Sequence, residues 1–199
     1  MPKLSLTDLV DVVSKSGTPK ATKVAQIKNR PPYSPALDFY KPLRDEIAHI
    51  HASGGNRASL THFLSTVTDP KKKSNYPDVV TSYSKWWGKK SITWFIPPSD
   101  GYSFNGVDVS VNPELGLIFN SQRYLIKLYF KADSLSKARI DLVTHMMEIA
   151  LRPQCKNSEI MAVLDLRNSK LFTPTVPIPA LTAVVNAELA YIAALWPSV

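Results

Sequence analysis

Three side chains in the stretch Val107–Lys131 (VDVSVNPELGLIFNSQRYLIKLYFK) have types and spacing suited to chemistry: the carboxylate of Glu114 and the ammonium groups of Lys127 and Lys131. Strand alternation puts Lys127, Tyr129 and Lys131 on one face, with Leu128 and Phe130 on the other. Two lysines and a tyrosine on one face suit phosphate contact, and they suit plain solvent as well. Lys127 read by itself is also a lysine that blocks aggregation at a sheet edge. Glu114, in Asn112-Pro113-Glu114, is also a solvated acid at a tight connection.

A second group lies earlier in the chain. Lys85-Trp86-Trp87-Gly88-Lys89-Lys90 sets cations beside aromatics, a combination that pairs phosphate neutralisation with base stacking. Lys71, Lys72 and Lys73 add to the same basic half. Adjacent helical positions differ by about 100°, so one tryptophan, taken as Trp87, is expected to face outward. The competing expectation is that Trp86 and Trp87 both seal a helix–sheet junction while the lysines snorkel.

Other chemistries find no support. His49, His51, His62 and His145 have no ligand spacing, and the single Cys155 has neither a disulfide partner nor a zinc set. No P-loop, G-x-G-x-x-G or G-x-S-x-G occurs. The chain opens Met-Pro-Lys without an apolar h-region, and no run of about twenty apolar residues exists. The nearest case, Ile178 to Trp196, carries Asn186 and Glu188. A cytoplasmic location without membrane contact is the expectation.

Charge is uneven. Up to residue 95 there are 15 Lys and Arg against 7 Asp and Glu, and from residue 96 onward there are 9 of each. The whole net charge of +8 therefore sits in the first half, which suggests a polyanion-facing portion. A solvated lysine-rich surface is the plainer reading.

The elements that must position these groups change in kind near residue 90. The first half reads as short helices. Leu6 to Val13 starts at Ser5 and Asp8, which have capping-box spacing. Pro19 to Lys28 follows Gly17 and Thr18-Pro19. A start signal at Ser34-Pro35 precedes a helix from Pro42 through Ile50, and another runs from about Ser59 to Val67. Lys71–Lys73 is expected in a loop, with Asn75 capping a helix to Trp87. The first two helices resemble a helix-turn-helix in length, with lysines 20, 23 and 28 available to phosphates.

After Gly88 come β-rich runs: Ile92–Ile96, then Tyr102–Phe104 and Val107–Val111 around the hairpin signal Asn105-Gly106. Leu115–Phe119 and Tyr124–Phe130 continue the meander. A helix from about Leu135 to Leu151, a buried strand Ile160–Leu164, a short strand Lys170–Phe172, a connector with Pro174, Pro177 and Pro179, and a last helix to Trp196 complete the chain. The expected class is α+β, with a basic helical region over 1–90 and a β-meander–α–β core over 91–199, as two parts or as one continuous domain.

The order helix, three-strand meander, helix, strand over residues 76–164 resembles the αβββαβ core of the PD-(D/E)XK nuclease superfamily. In that family an acid on the second strand and an acid-x-lysine on the third hold divalent ions, which lower the pKa of a bound water. The resemblance implies a restriction-endonuclease-like sheet, Glu114 (in Pro113-Glu114) as a metal ligand, and Lys127 or Lys131 positioning the water. Mg or Mn would be the cofactor. The pattern departs at the residues two before these lysines, Leu125 and Tyr129, which cannot ligate a hard cation. A migrated carboxylate would have to replace them: Asp108, the partner ligand in this reading, or Asp133, Asp165 or Glu46.

The functional expectation is association with nucleic acid, DNA before RNA, through Lys71, Lys72, Lys73, Lys85, Trp87, Lys89 and Lys90, on a degenerate nuclease-like core. A non-catalytic module for an acidic protein partner is the alternative, and a divalent-metal nuclease is the second alternative.

Overall fold

The computed structural model describes residues 1–34, 38–131, 133–156, 158–174 and 180–199. Pro35 of the second start signal, and Ile178, Pro177 and Pro179 of the expected connector, lie outside them.

A short strand β1 (Lys3–Ser5) leads into α1 (Leu6–Val13) and α2 (Gly17–Lys28), and then come α3 (Lys41–Ala52), α4 (Arg57–Thr66) and α5 (Pro70–Trp87). Strands β2 (Thr93–Phe95), β3 (Asp100–Phe104), β4 (Val107–Val111), β5 (Leu115–Phe119) and β6 (Gln122–Tyr129) precede α6 (Lys137–Leu151). Then β7 (Ile160–Asp165), β8 (Lys170–Phe172) and α7 (Leu181–Leu195) close the chain. The α+β class holds.

The strands form two sheets, of order β1-β4-β3 and β2-β5-β6-β7-β8. The stretch Val107–Lys131 is therefore not one meander. Asn105 and Gly106 both take positive φ and close the β3–β4 hairpin, but the chain leaves that sheet at Pro113. Proline has no N–H for a ladder, and the next strand begins in the second sheet. The neighbour of β5 there is β2. Gly116 permits that pairing, since a Cβ on it would stand 2.4 Å from the carbonyl oxygen of Phe95. The parallel pair β6–β7 needs a crossover, which α6 supplies.

Alternation along β6 and β7 feeds two cores. Leu125, Met161 and Val163 face a cluster built with α1, α2, α6 and α7. Ile126, Leu128, Ala162 and Leu164 face a cluster with Leu43, Ile47, Tyr76, Tyr83 and Trp86 of α3 and α5. Helical layers thus cover both faces of the five-stranded sheet, and both cores draw on residues from either side of residue 90.

Helix α5 starts earlier than its sequence pattern suggests. Asp69 is the N-cap, accepting the N–H of Lys72 at 2.9 Å, and Pro70 follows at the first helical position. Lys71–Lys73 is therefore helical, and Asn75 bonds the carbonyl of Lys71 at 2.8 Å instead of capping. Pro77 sits inside the helix without breaking it. The packing of Tyr76, Val79, Val80 and Tyr83 against the sheet outweighs the one backbone bond it removes.

Candidate functional site

A cleft of about 770 Å³ opens at the end of β6, between α1, the segment after α2, the start of α3 and α6. It gathers the residues singled out in this stretch: Glu114, just before β5, and Lys127, Tyr129 and Lys131, on or just after β6, all line it. The antiparallel register pairs Leu115 with Ile126, so one step further Glu114 stands opposite Lys127.

Their geometry is that of a closed pair. Lys127 Nζ donates to Glu114 Oε1 at 2.5 Å and to the carbonyl of Asn112 at 2.8 Å. Glu114 Oε2 accepts the N–H of Leu128 at 2.8 Å. Both carboxylate oxygens are engaged, and the lysine that would position a water is spent on the acid itself.

The other cations of the cleft are engaged in the same way. Lys131 is bonded to Asp11, which Lys23 also approaches at 3.3 Å. Arg30 holds Asp8 at 2.8 Å, while Asp8 completes the capping box with Ser5. Arg44 holds Asp38 at 2.8 Å. Burial pushes the Asp38 carboxyl up, yet the Arg44 guanidinium outweighs it and leaves the group below the usual carboxylate range. Arg139 bonds Asp133 and the hydroxyl of Tyr129. Burial, with Asp133 beside it, pushes that phenol up to about 12.

The carboxylates proposed to complete a metal site are dispersed. Asp108 lies on β4 in the other sheet and accepts Ser103 Oγ at 2.6 Å. Asp133 belongs to Arg139. Asp165 caps the β7–β8 turn through the N–H groups of Arg167 and Asn168, at 3.0 and 3.1 Å. Glu46 stays on α3. Leu125, where the second acid would stand, is fully buried in the core. Among the described residues no group of three or more His, Cys, Asp or Glu is arranged to hold a metal. The donor set does not fit a hard divalent ion.

The basic segment lies on α5 and just past its end, in the helical layer that α5 builds with α3. Lys71, Lys73, Lys85 and Lys89 are exposed, and Lys72 is half-buried. None of the five has an ion-pair partner among the described residues. Lys90 turns back onto the helix end, bonding the Trp86 carbonyl and lying 5.0 Å from that ring's centroid. Trp87 is a correction: it is only 8% exposed and packs on His51 at 4.3 Å, so it offers no free face for a base. Two adjacent tryptophans are buried because Trp86 meets Phe119 of the sheet while Trp87 meets α3.

The helix-turn-helix likeness of α1 and α2 does not extend to free lysines. Lys20 binds Glu188 of α7, Lys23 reaches Asp11 of α1, and Lys28 bonds the carbonyl of Trp196 at 2.8 Å. Compared with known protein families and with curated proteins, the sequence has no match.

Sequence reasoning missed Asp8, Asp11, Arg30, Arg44 and Arg139 as cleft residues. The capping box marked Asp8 as structural, but no local signal joins Asp11 to Lys131 across the chain.

Proposed function

We propose that this protein associates with nucleic acid through the outer face of α5, and that its nuclease-like core does not cleave. The observation that carries the reading is the contrast in charge pairing. Exposed lysines at 71, 73, 85 and 89 have no carboxylate partners among the described residues, whereas the cations of the cleft are ion-paired. A cation already paired gains little from a phosphate. An unpaired one on a rigid helix can displace condensed counterions at small cost.

The likeness to the PD-(D/E)XK core gains support from the element order. With the β3–β4 hairpin set aside as an insertion, α5, β2, β5, β6, α6 and β7 follow the order αβββαβ, and the third strand pairs in parallel with the fourth. Against catalysis stand the closed Glu114–Lys127 pair and the apolar Leu125.

Fluorescence anisotropy of labelled DNA across a salt series tests the reading, with parallel gels in Mg²⁺ and Mn²⁺. Binding that weakens log-linearly with salt, without cleavage in either metal, is the expected result. Cleavage would overturn the non-catalytic part. Absence of binding at low salt would overturn the whole reading and favour an acidic protein partner.

A further inference from the structure

Helix α5 is 18 residues long, and one stripe of it is open to solvent: Lys71, Ser74, Asp78, Thr81 and Lys85. At 1.5 Å per residue the two lysines of the stripe stand roughly 21 Å apart along the axis. Each has a companion, Lys73 at one end and Lys89 at the other, so the positive charge falls into two groups with an acid between them.

The sheet edge adds a further cation. The β7–β8 turn docks against the middle of α5, where Ser169 Oγ donates to the carbonyl of Ser82 at 2.8 Å and Ser82 Oγ to that of Arg167 at 3.3 Å. Lys170, next in the chain, is exposed and has no ion-pair partner among the described residues; its Nζ lies 4.8 Å from the Phe172 ring centroid. A lysine at that position also suits a sheet edge that must resist pairing.

Resting on the nucleic-acid reading above, we infer that the ligand of this surface is the phosphate backbone of a double helix, contacted without regard to sequence, and that Lys170 is one of its contacts. Two observations weigh against the alternatives. Binding of single strands relies on aromatic platforms for stacking, and the aromatics of α5 (Tyr76, Tyr83, Trp86 and Trp87) are all buried at 8% exposure or less. The planar groups that grip base edges bidentately with fixed geometry are those of Arg, Asn and Gln, and the open stripe of Lys, Ser, Asp and Thr has none of them. A duplex offers two targets: its major groove, about 12 Å wide, separates two rows of phosphate, and since Lys71 and Lys85 stand roughly 21 Å apart their flexible stems lean inward to meet them. Lysine stems extending from the two ends of α5 can reach one row each, and Asp78 then faces the groove, where no phosphate lies.

The test is anisotropy at low salt with a labelled 20-base-pair duplex, a second duplex of unrelated sequence, and one strand of the first alone. Both duplexes are expected to bind within about twofold of one another, and at least tenfold tighter than the strand. K170Q should weaken duplex binding by about threefold to tenfold, with a salt slope smaller by about 0.9 and an unchanged thermal unfolding curve. A strand that binds as tightly as the duplex would overturn this inference and leave the nucleic-acid reading standing. An unchanged K170Q affinity would remove Lys170 from the surface. If neither form binds, the underlying reading itself fails.

Discussion

In the cleft, Lys127, Lys131, Arg30, Arg44 and Arg139 each hold a carboxylate. On α5 and just past its end, Lys71, Lys73, Lys85 and Lys89 hold none among the described residues. The two regions have similar cations and put them to opposite uses. Charges in the cleft tie distant segments together, Asp11 to Lys131 and Asp8 to Arg30, so their removal should be felt as lost stability. Charges on α5 tie nothing, so their removal should be felt only by a ligand.

The inner face of α5 gives the largest expected effect. Trp87→Ala should cost about 3–5 kcal/mol in denaturant unfolding, since it leaves a cavity against His51 and Tyr83. A cost under about 1 kcal/mol would mean that the ring is dispensable to the core and reopen a role at the surface.

The same layer should dominate the response to acid. His51 Nε2 lies 2.5 Å from the hydroxyl of the fully buried Tyr83, where a neutral imidazole accepts the proton of the phenol. Burial pushes the imidazole down to about 4. The unfolded chain takes up that proton near its ordinary 6.5, so stability falls as pH drops from about 6.5 to 4 and levels below. The total is roughly 3 kcal/mol. His51→Gln keeps an acceptor for Tyr83 and should flatten that window. A curve unchanged by this substitution would assign acid sensitivity elsewhere, the cleft ion pairs included.

Within the cleft, Lys127→Met should cost about 2 kcal/mol, because Glu114, its side chain 12% exposed, is left without its cation. The double variant Glu114→Leu with Lys127→Met should recover much of that loss, since no unpaired charge remains. Equal costs in the two variants would mean that the pair contributes nothing as a pair.

The smallest effect on stability belongs to the outer face of α5. Replacing Lys71, Lys73, Lys85 and Lys89 together by Gln should shift unfolding by no more than about 0.5 kcal/mol. A larger loss would show that these lysines have structural partners after all.

How much of this was legible in the sequence follows from the range of each signal. Local signals were readable: the capping box at Ser5 and Asp8, the Asn105-Gly106 hairpin, and the alternation that puts Lys127, Tyr129 and Lys131 into one cleft. Non-local pairing was not. Nothing near Val107–Val111 reveals that this strand joins β1, a hundred residues earlier, instead of the sheet of β5 and β6. Of the two expectations for the tryptophan pair, the buried one holds and the outward Trp87 does not, because α5 packs on both the sheet and α3 whereas helical periodicity assumes one buried face. The candidate site was legible in position, through Glu114 and Lys127, but not in state. That the two charges close on each other depends on their register opposite one another, and that the remaining acids lie elsewhere depends on the topology.

The most direct test of the central claim is the salt dependence of duplex binding for three proteins: wild type, the α5 variant with four lysines replaced, and the cleft double variant Glu114→Leu with Lys127→Met. The claim predicts that the α5 variant binds about a hundredfold more weakly in low salt, with a shallower slope, while the cleft variant matches wild type. A cleft variant that loses binding while the α5 variant retains it would contradict the claim and return the ligand to the cleft.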